Sequence, residues 1–198
     1  FKTEFHFAKN EDRGYSVITS IHQNEIELEF DRVKDHIDVV KVELETPLLP
    51  KNSYTIHLNY IVQVPNDKFT RYGVSTYGDY NLRYWYATPA VYNGEWQYSS
   101  HKDLDDMFVP ESDIRLEITC PLNYYIESEL DKIDYYHVKD NQTVVFSGKN
   151  RLNSKLFLNK LSLYREIETD NFTLISNVDD ENLNAMNKAL VTDKIVQF

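Results

Sequence analysis

The sequence holds a single cysteine, Cys120, in 198 residues. That excludes an intrachain disulfide, so packing and hydrogen bonds must hold the chain together. Five glycines and six prolines are too few for low-complexity linkers or collagen-like repeats, and no internal repeat is visible. No apolar run approaches the roughly 18 residues of a spanning helix. Basic residues are the minority, 21 Lys and Arg against 32 Asp and Glu, for a net charge of −11. No Lys/Arg run exceeds two residues, so neither nucleic acid nor an anionic membrane surface is an expected partner. The opening Phe1-Lys2-Thr3-Glu4-Phe5-His6 lacks the pattern of a signal peptide and an initiator Met. It reads as the start of a piece cut from a longer product.

Catalytic patterns are scarce as well. His6, His22, His36, His57, His101 and His137 are the histidines. None precedes a glutamate and no two stand four apart, so the His-Glu-x-x-His of zinc peptidases is absent. The chain is not expected to catalyse zinc hydrolysis by itself. His101-Lys102-Asp103-Leu104-Asp105-Asp106 spaces carboxylates as calcium loops do, but no glycine turns the loop and Lys102 opposes a cation. A solvated acidic loop is the simpler reading. Cys120 has no basic neighbour in sequence to lower its pKa and reads as a small strand-end residue. Asn141-Gln142-Thr143 and Asn171-Phe172-Thr173 match glycosylation sequons that chance often supplies.

What is abundant is aromatic and apolar side chains, 14% and 41% of residues, with 15 Tyr and 10 Phe. They favour sheet over helix. Residues 15–22 place Tyr15, Val17, Thr19 and Ile21 in phase. Ile26, Leu28 and Phe30 alternate with Glu25, Glu27 and Glu29. Val40, Val42 and Leu44 alternate with Lys41, Glu43 and Glu45. Such alternation marks antiparallel strands with one wet face, and residues 35–38 read as a loop between two of them. Residues 46–53, with Pro47 and Pro50, read as a turn. Residues 54–64 form a long strand burying Ile56, Leu58, Tyr60, Val62 and Val64, closed by Pro65; His57 falls on its polar phase. Residues 82–86 read as a short aromatic strand, followed by an irregular but aromatic stretch over 87–111. Strands follow at 114–119, 124–129, 134–138, 142–147, 155–164, with a bulge near Asn159, and 172–176. Residues 181–197 carry helical spacing behind acidic Asp179-Asp180-Glu181. The expected fold is mainly β: an antiparallel sandwich or saddle-shaped sheet over 1–178, then a C-terminal helix within 179–198.

The order of several short motifs resembles the N-terminal β-domain of M1-type zinc aminopeptidases. The pieces are Leu44-Glu45-Thr46-Pro47-Leu48 with Pro50, Tyr54 to Tyr60, Val64-Pro65 leading to Arg71-Tyr72-Gly73, Trp85-Tyr86-Ala87-Thr88-Pro89-Ala90, and Ser112 to Pro121. The similarity runs over about 12–198 and is nearest to membrane-associated M1-like peptidases of Bacteroidetes-type bacteria. It implies a non-catalytic domain, lacking its first strands, that packs on a catalytic domain of the same polypeptide and faces its peptide cleft. It implies zinc in that other domain, none in this chain, and a location on the cell envelope or facing the periplasm. Thr88, Tyr92 and Trp96 are the residues it places toward the cleft, although the family's usual pattern of substrate contacts is missing there.

A different reading also fits the residues. Tyr77, Tyr80, Tyr84, Trp85, Tyr86, Tyr92, Trp96 and Tyr98 are mostly core by type, but Tyr and Trp also favour half-wet interfaces. They could serve a free-standing β-sandwich that binds glycans or a protein. A degenerate M1-like scaffold in a membrane complex is a third reading.

Overall fold

A computed structural model describes residues 6–98, 108–161, 165–168, 170, 173–176 and 185–196. The acidic stretch 101–106 and the sequon at Asn171 lie outside the described residues. The chain is mainly β, with antiparallel sheets and, among the described residues, one α-helix, at the C-terminal end.

The centre of the molecule is a sandwich of two antiparallel sheets. In one, β13 (Asn141–Arg151) lies between β10 (Ser112–Pro121) and β12 (Asp131–Val138). In the other the order is β11 (Tyr125–Ser128), β14 (Lys155–Asn159), β7 (Tyr80–Arg83), β6 (Gly73–Val74). Alternation sets their faces. Leu116 pairs with Phe146 and Ile118 with Val144 on the first sheet. Ser128, Leu156 and Leu82 share one row of the second. Leu82, Cys120, Ile126, Leu130, Val144, Phe146, Leu156 and Leu158 form one buried cluster between the sheets.

The central strand β13 carries Val144-Val145-Phe146, apolar without a break, and both of its faces are buried. A middle strand covered on both sides has no need to alternate. On its outer face the Tyr136 hydroxyl reaches across from β12 and donates to Glu117 Oε1 on β10 at 2.9 Å. That span covers Thr143 and Val145, which sit in register between the two strands. Arg115 Nη1 adds a bond to Glu117 Oε2 at 3.1 Å. The Tyr136 and Arg115 hydrogen bonds, in that order, hold the Glu117 carboxyl below the usual carboxylate range.

The N-terminal part forms a further sheet, β2 (Ile26–Glu27), β1 (Tyr15–Gln23), β5 (Ile56–Gln63), beside a hairpin of β3 (Phe30–Val33) and β4 (His36–Val42). Several expectations need correction here. The phase of β1 breaks at a bulge between Ile18 and Ser20. Tyr15 and Val17 therefore stay exposed while Ile21 is buried. The extra residue, Thr19, is satisfied by donating to Asn59 O at 3.0 Å. Residues 25–30 do not make one strand: they split into β2 and the start of β3, and the Leu28 amide leaves the ladder to bond Ile21 O at 2.8 Å. The expected loop at 35–38 is mostly strand. The turn is tighter, with Asp35 in the left-handed region at φ 67°. In β5 Leu58, Tyr60 and Val62 are half-buried, but Ile56 at its open end remains 41% exposed. His57 lies on the polar face as expected, directly opposite His22.

The turn at 46–53 is present and is tied down by Tyr54, whose hydroxyl donates to Pro47 O at 2.8 Å. Pro65 ends the long strand and begins the junction between the two halves. Asn66 N bonds Asp12 O at 3.0 Å, and Val74 N bonds Pro65 O at 2.8 Å. Val64 packs against the central cluster.

Toward the C-terminus, β14 ends at Asn159. The change of phase there marks the end of the strand, not a bulge inside a longer one. A hairpin of β15 (Arg165–Glu168) and β16 (Thr173–Ser176) follows, with the helix α1 (Ala185–Val196) after it. The strand at 165–168 is not visible in the alternation of the sequence. Among the described residues no helix is long and apolar enough to cross a membrane.

Candidate functional site

The stretch after β7 was expected to be irregular, yet it contains a small hairpin. β8 (Val91–Tyr92) pairs with β9 (Trp96–Gln97), placing Tyr92 opposite Trp96 and Val91 opposite Gln97. Asn93-Gly94-Glu95 is the loop. Gly94 sits at φ 79°, in open space. A three-residue hairpin loop needs such a left-handed residue, which glycine supplies without strain. Asn93 N donates to Glu95 O at 2.9 Å and closes the loop.

This pairing brings the Tyr92 and Trp96 rings into edge-to-face contact, 5.2 Å between centroids and 64° apart. Both residues are 63% exposed. Aromatic pairs of this geometry hold each other by about 0.5–1.5 kcal/mol beyond area burial. The rings are thus mutually oriented while most of their surface stays in water. At the foot of the hairpin, Tyr98 meets His36 of β4 edge-on at 5.8 Å. Thr88 is exposed in the segment leading into β8. Of the three residues expected to face a partner, the structure brings Tyr92 and Trp96 together and leaves Thr88 outside their contact pair.

The other aromatics divide cleanly. Tyr80 and Trp85 pack on the central cluster. The Tyr86 hydroxyl accepts from Ser154 N at 2.9 Å. Tyr77, Tyr84 and Tyr98 are exposed. Tyr84 does not extend a strand, as expected from 82–86. It takes φ 54° and turns the chain out of β7 after Arg83. Arg83 itself lies within cation–π reach of the Tyr72 and Tyr84 rings; its place beside a tyrosine in an acidic chain is the one local sign of this in the sequence.

Cys120 is a buried strand-end residue, and desolvation pushes its thiol pKa up. Among the described residues no three of His, Cys, Asp or Glu converge as a metal site would require. The hairpin offers aromatic faces, an indole N–H and a phenol: groups that hold a ligand by contact and hydrogen bonding. No protein-family model, curated protein or solved structure matches the chain.

Proposed function

We propose that this chain is a non-catalytic β-domain of an M1-like zinc aminopeptidase, packed on a catalytic domain of the same polypeptide. The aromatic hairpin at 91–97 would wall one side of the peptide cleft. The observation that carries this reading is the pair Tyr92 and Trp96, locked edge-to-face and held out in solvent on a short hairpin. An exposed aromatic pair with fixed geometry does little for a core and suits a contact surface. The order of the sequence motifs supplies the family. Zinc belongs to the catalytic domain in this reading, and no chemical step runs through the present chain. The envelope-facing location belongs to the same proposal.

Two measurements test it. The native gene read past the codon for Phe198 should encode His-Glu-x-x-His with a further Glu about twenty residues on; a downstream domain without those ligands overturns the zinc peptidase reading. In the parent enzyme, alanine at Thr88, Tyr92 and Trp96 together should raise KM for peptides and leave kcat nearly unchanged, because contacts made equally in ground and transition states are lost. Unchanged kinetics would remove the hairpin from the cleft.

The same exposed pair favours one rival, a free-standing module that stacks sugar rings or a partner's side chains on Tyr92 and Trp96. Saturable quenching of Trp96 fluorescence by oligosaccharides, lost in Trp96→Phe, would favour that rival.

A further inference from the structure

Arg83 closes β7 directly opposite Lys155 of β14. Like charges facing each other across strands repel. Lys155 is compensated by Glu129, 3.4 Å away. Arg83 has no carboxylate among the described residues, although the chain carries 32 Asp and Glu. Its guanidinium carbon lies 4.5 Å from the Tyr84 ring centroid and 5.9 Å from that of Tyr72. Nη1 donates only a long bond, 3.5 Å, to the Tyr72 hydroxyl. Nε is buried without an acceptor.

The clamp is built at a cost to the backbone. Tyr84 stands at φ 54° and Arg71, next to Tyr72, at φ 66°. Left-handed backbone in bulky residues is uncommon and persists where the surroundings impose it, often at ligand sites. Here Asn81 Nδ2 donates to Arg71 O at 2.9 Å, which fastens the turn carrying Tyr72 to the strand carrying Arg83. An arginine is thus held beside two tyrosines, next to backbone in the left-handed region at Arg71 and Tyr84, with no carboxylate partner among the described residues.

We propose that Arg83, flanked by Tyr72 and Tyr84, is a receptor for a single carboxylate of an acidic peptide segment. A guanidinium fork matches a planar carboxylate in two parallel hydrogen bonds. One positive charge without a carboxylate partner among the described residues balances one carboxylate. A phosphate dianion would bring a second charge into the field of a chain of net charge −11. The tyrosine rings supply faces for the neighbouring peptide atoms. The site uses none of the hairpin residues and stands whether or not the aminopeptidase reading does.

The test is an NMR titration of the ¹⁵N-labelled chain with a blocked tripeptide carrying a central glutamate. The glutamine analogue and inorganic phosphate are the comparison probes. Saturable shifts of the Arg83 side-chain N–H and the Tyr72 and Tyr84 amides are expected with the glutamate peptide and not with the glutamine one. Arg83→Lys keeps the charge but loses the fork, and should weaken binding roughly tenfold. Arg83→Gln should abolish it; should that variant fail to fold, the lysine variant carries the comparison. No saturable shift at Arg83, or an affinity unchanged by Arg83→Lys, overturns the proposal. Phosphate binding more tightly than the glutamate peptide overturns the carboxylate assignment.

Discussion

Gly73 joins the turn that carries Tyr72 to β6, and its replacement by alanine separates steric necessity from general flexibility. Gly73 sits at φ 142°. A Cβ there would stand 2.2 Å from Pro65 O and 3.0 Å from both Asn66 C and Asp67 N. These are backbone atoms and cannot swing aside. Moving Pro65 O away also breaks its 2.8 Å bond from Val74 N. Residues forced into sparsely populated backbone regions cost about 1–3 kcal/mol, and the lost hydrogen bond about 1 kcal/mol more. Gly73→Ala should therefore destabilise the chain by about 3 kcal/mol. Gly94 is the control. It too has positive φ, 79°, but no atom lies within 4 Å of its would-be Cβ. Gly94→Ala should cost only about 1 kcal/mol, the intrinsic penalty of a left-handed residue. Urea unfolding followed by far-UV circular dichroism gives both values. A difference of about 2 kcal/mol is roughly a thirtyfold change in the unfolding constant, far outside the error of paired midpoints. Equal losses in the two variants would refute the argument from the Pro65 contact. Because the clash pushes the turn bearing Arg71 and Tyr72, Gly73→Ala should also weaken glutamate-peptide binding at Arg83, and Gly94→Ala should not.

Two further outcomes follow from the titratable groups. Tyr136 and Glu117 bond each other across β13. Hydrogen bonding to the carboxylate lowers the Glu117 pKa and raises that of Tyr136. The stabilisation from Glu117 is present above the ordinary carboxylate pKa and lost as pH falls through its depressed value. That from Tyr136 is present below the ordinary tyrosine pKa and lost as pH rises through its elevated value. The bond thus acts across neutral pH. Tyr136→Phe should return the Glu117 carboxyl, followed by ¹³C NMR, toward the ordinary range; no movement would show that Arg115 alone sets it. Cys120, 8% exposed and with its thiol pKa raised by desolvation, should react with a thiol reagent in native buffer only as fast as the sandwich opens. Labelling should rise through the urea transition seen by circular dichroism, whereas immediate native labelling would contradict its burial.

How much of this was legible in the sequence depends on how far apart the deciding residues lie. The pattern of Ile114, Leu116, Ile118 and Cys120 is a local period of two, and β10 obeys it. Val144-Val145-Phe146 likewise signals a central strand by its lack of polar breaks. The phase of β1 is not legible locally, because its bulge is decided by pairing with β5, forty residues away, where Thr19 finds Asn59. Tyr84 looked like part of an aromatic strand, since aromatics favour sheet, but its ring is drawn to Arg83 by a turn that no propensity encodes. The clamp on Arg83 needs Tyr72 from β6's approach and Asn81 in mid-strand, so only the assembled sheet displays it. The hairpin is the instructive middle case. Tyr92 and Trp96 are four apart, a spacing that would equally put them on one face of a helix. Asn93-Gly94 between them is the local sign that decides for a hairpin, and it makes the same two rings face each other across strands. A contact surface of this kind carries no catalytic spacing for the sequence to reveal. Its meaning lies in what the rings touch, which is why binding and kinetic measurements, more than further inspection of residue order, decide between a cleft wall and a free-standing module.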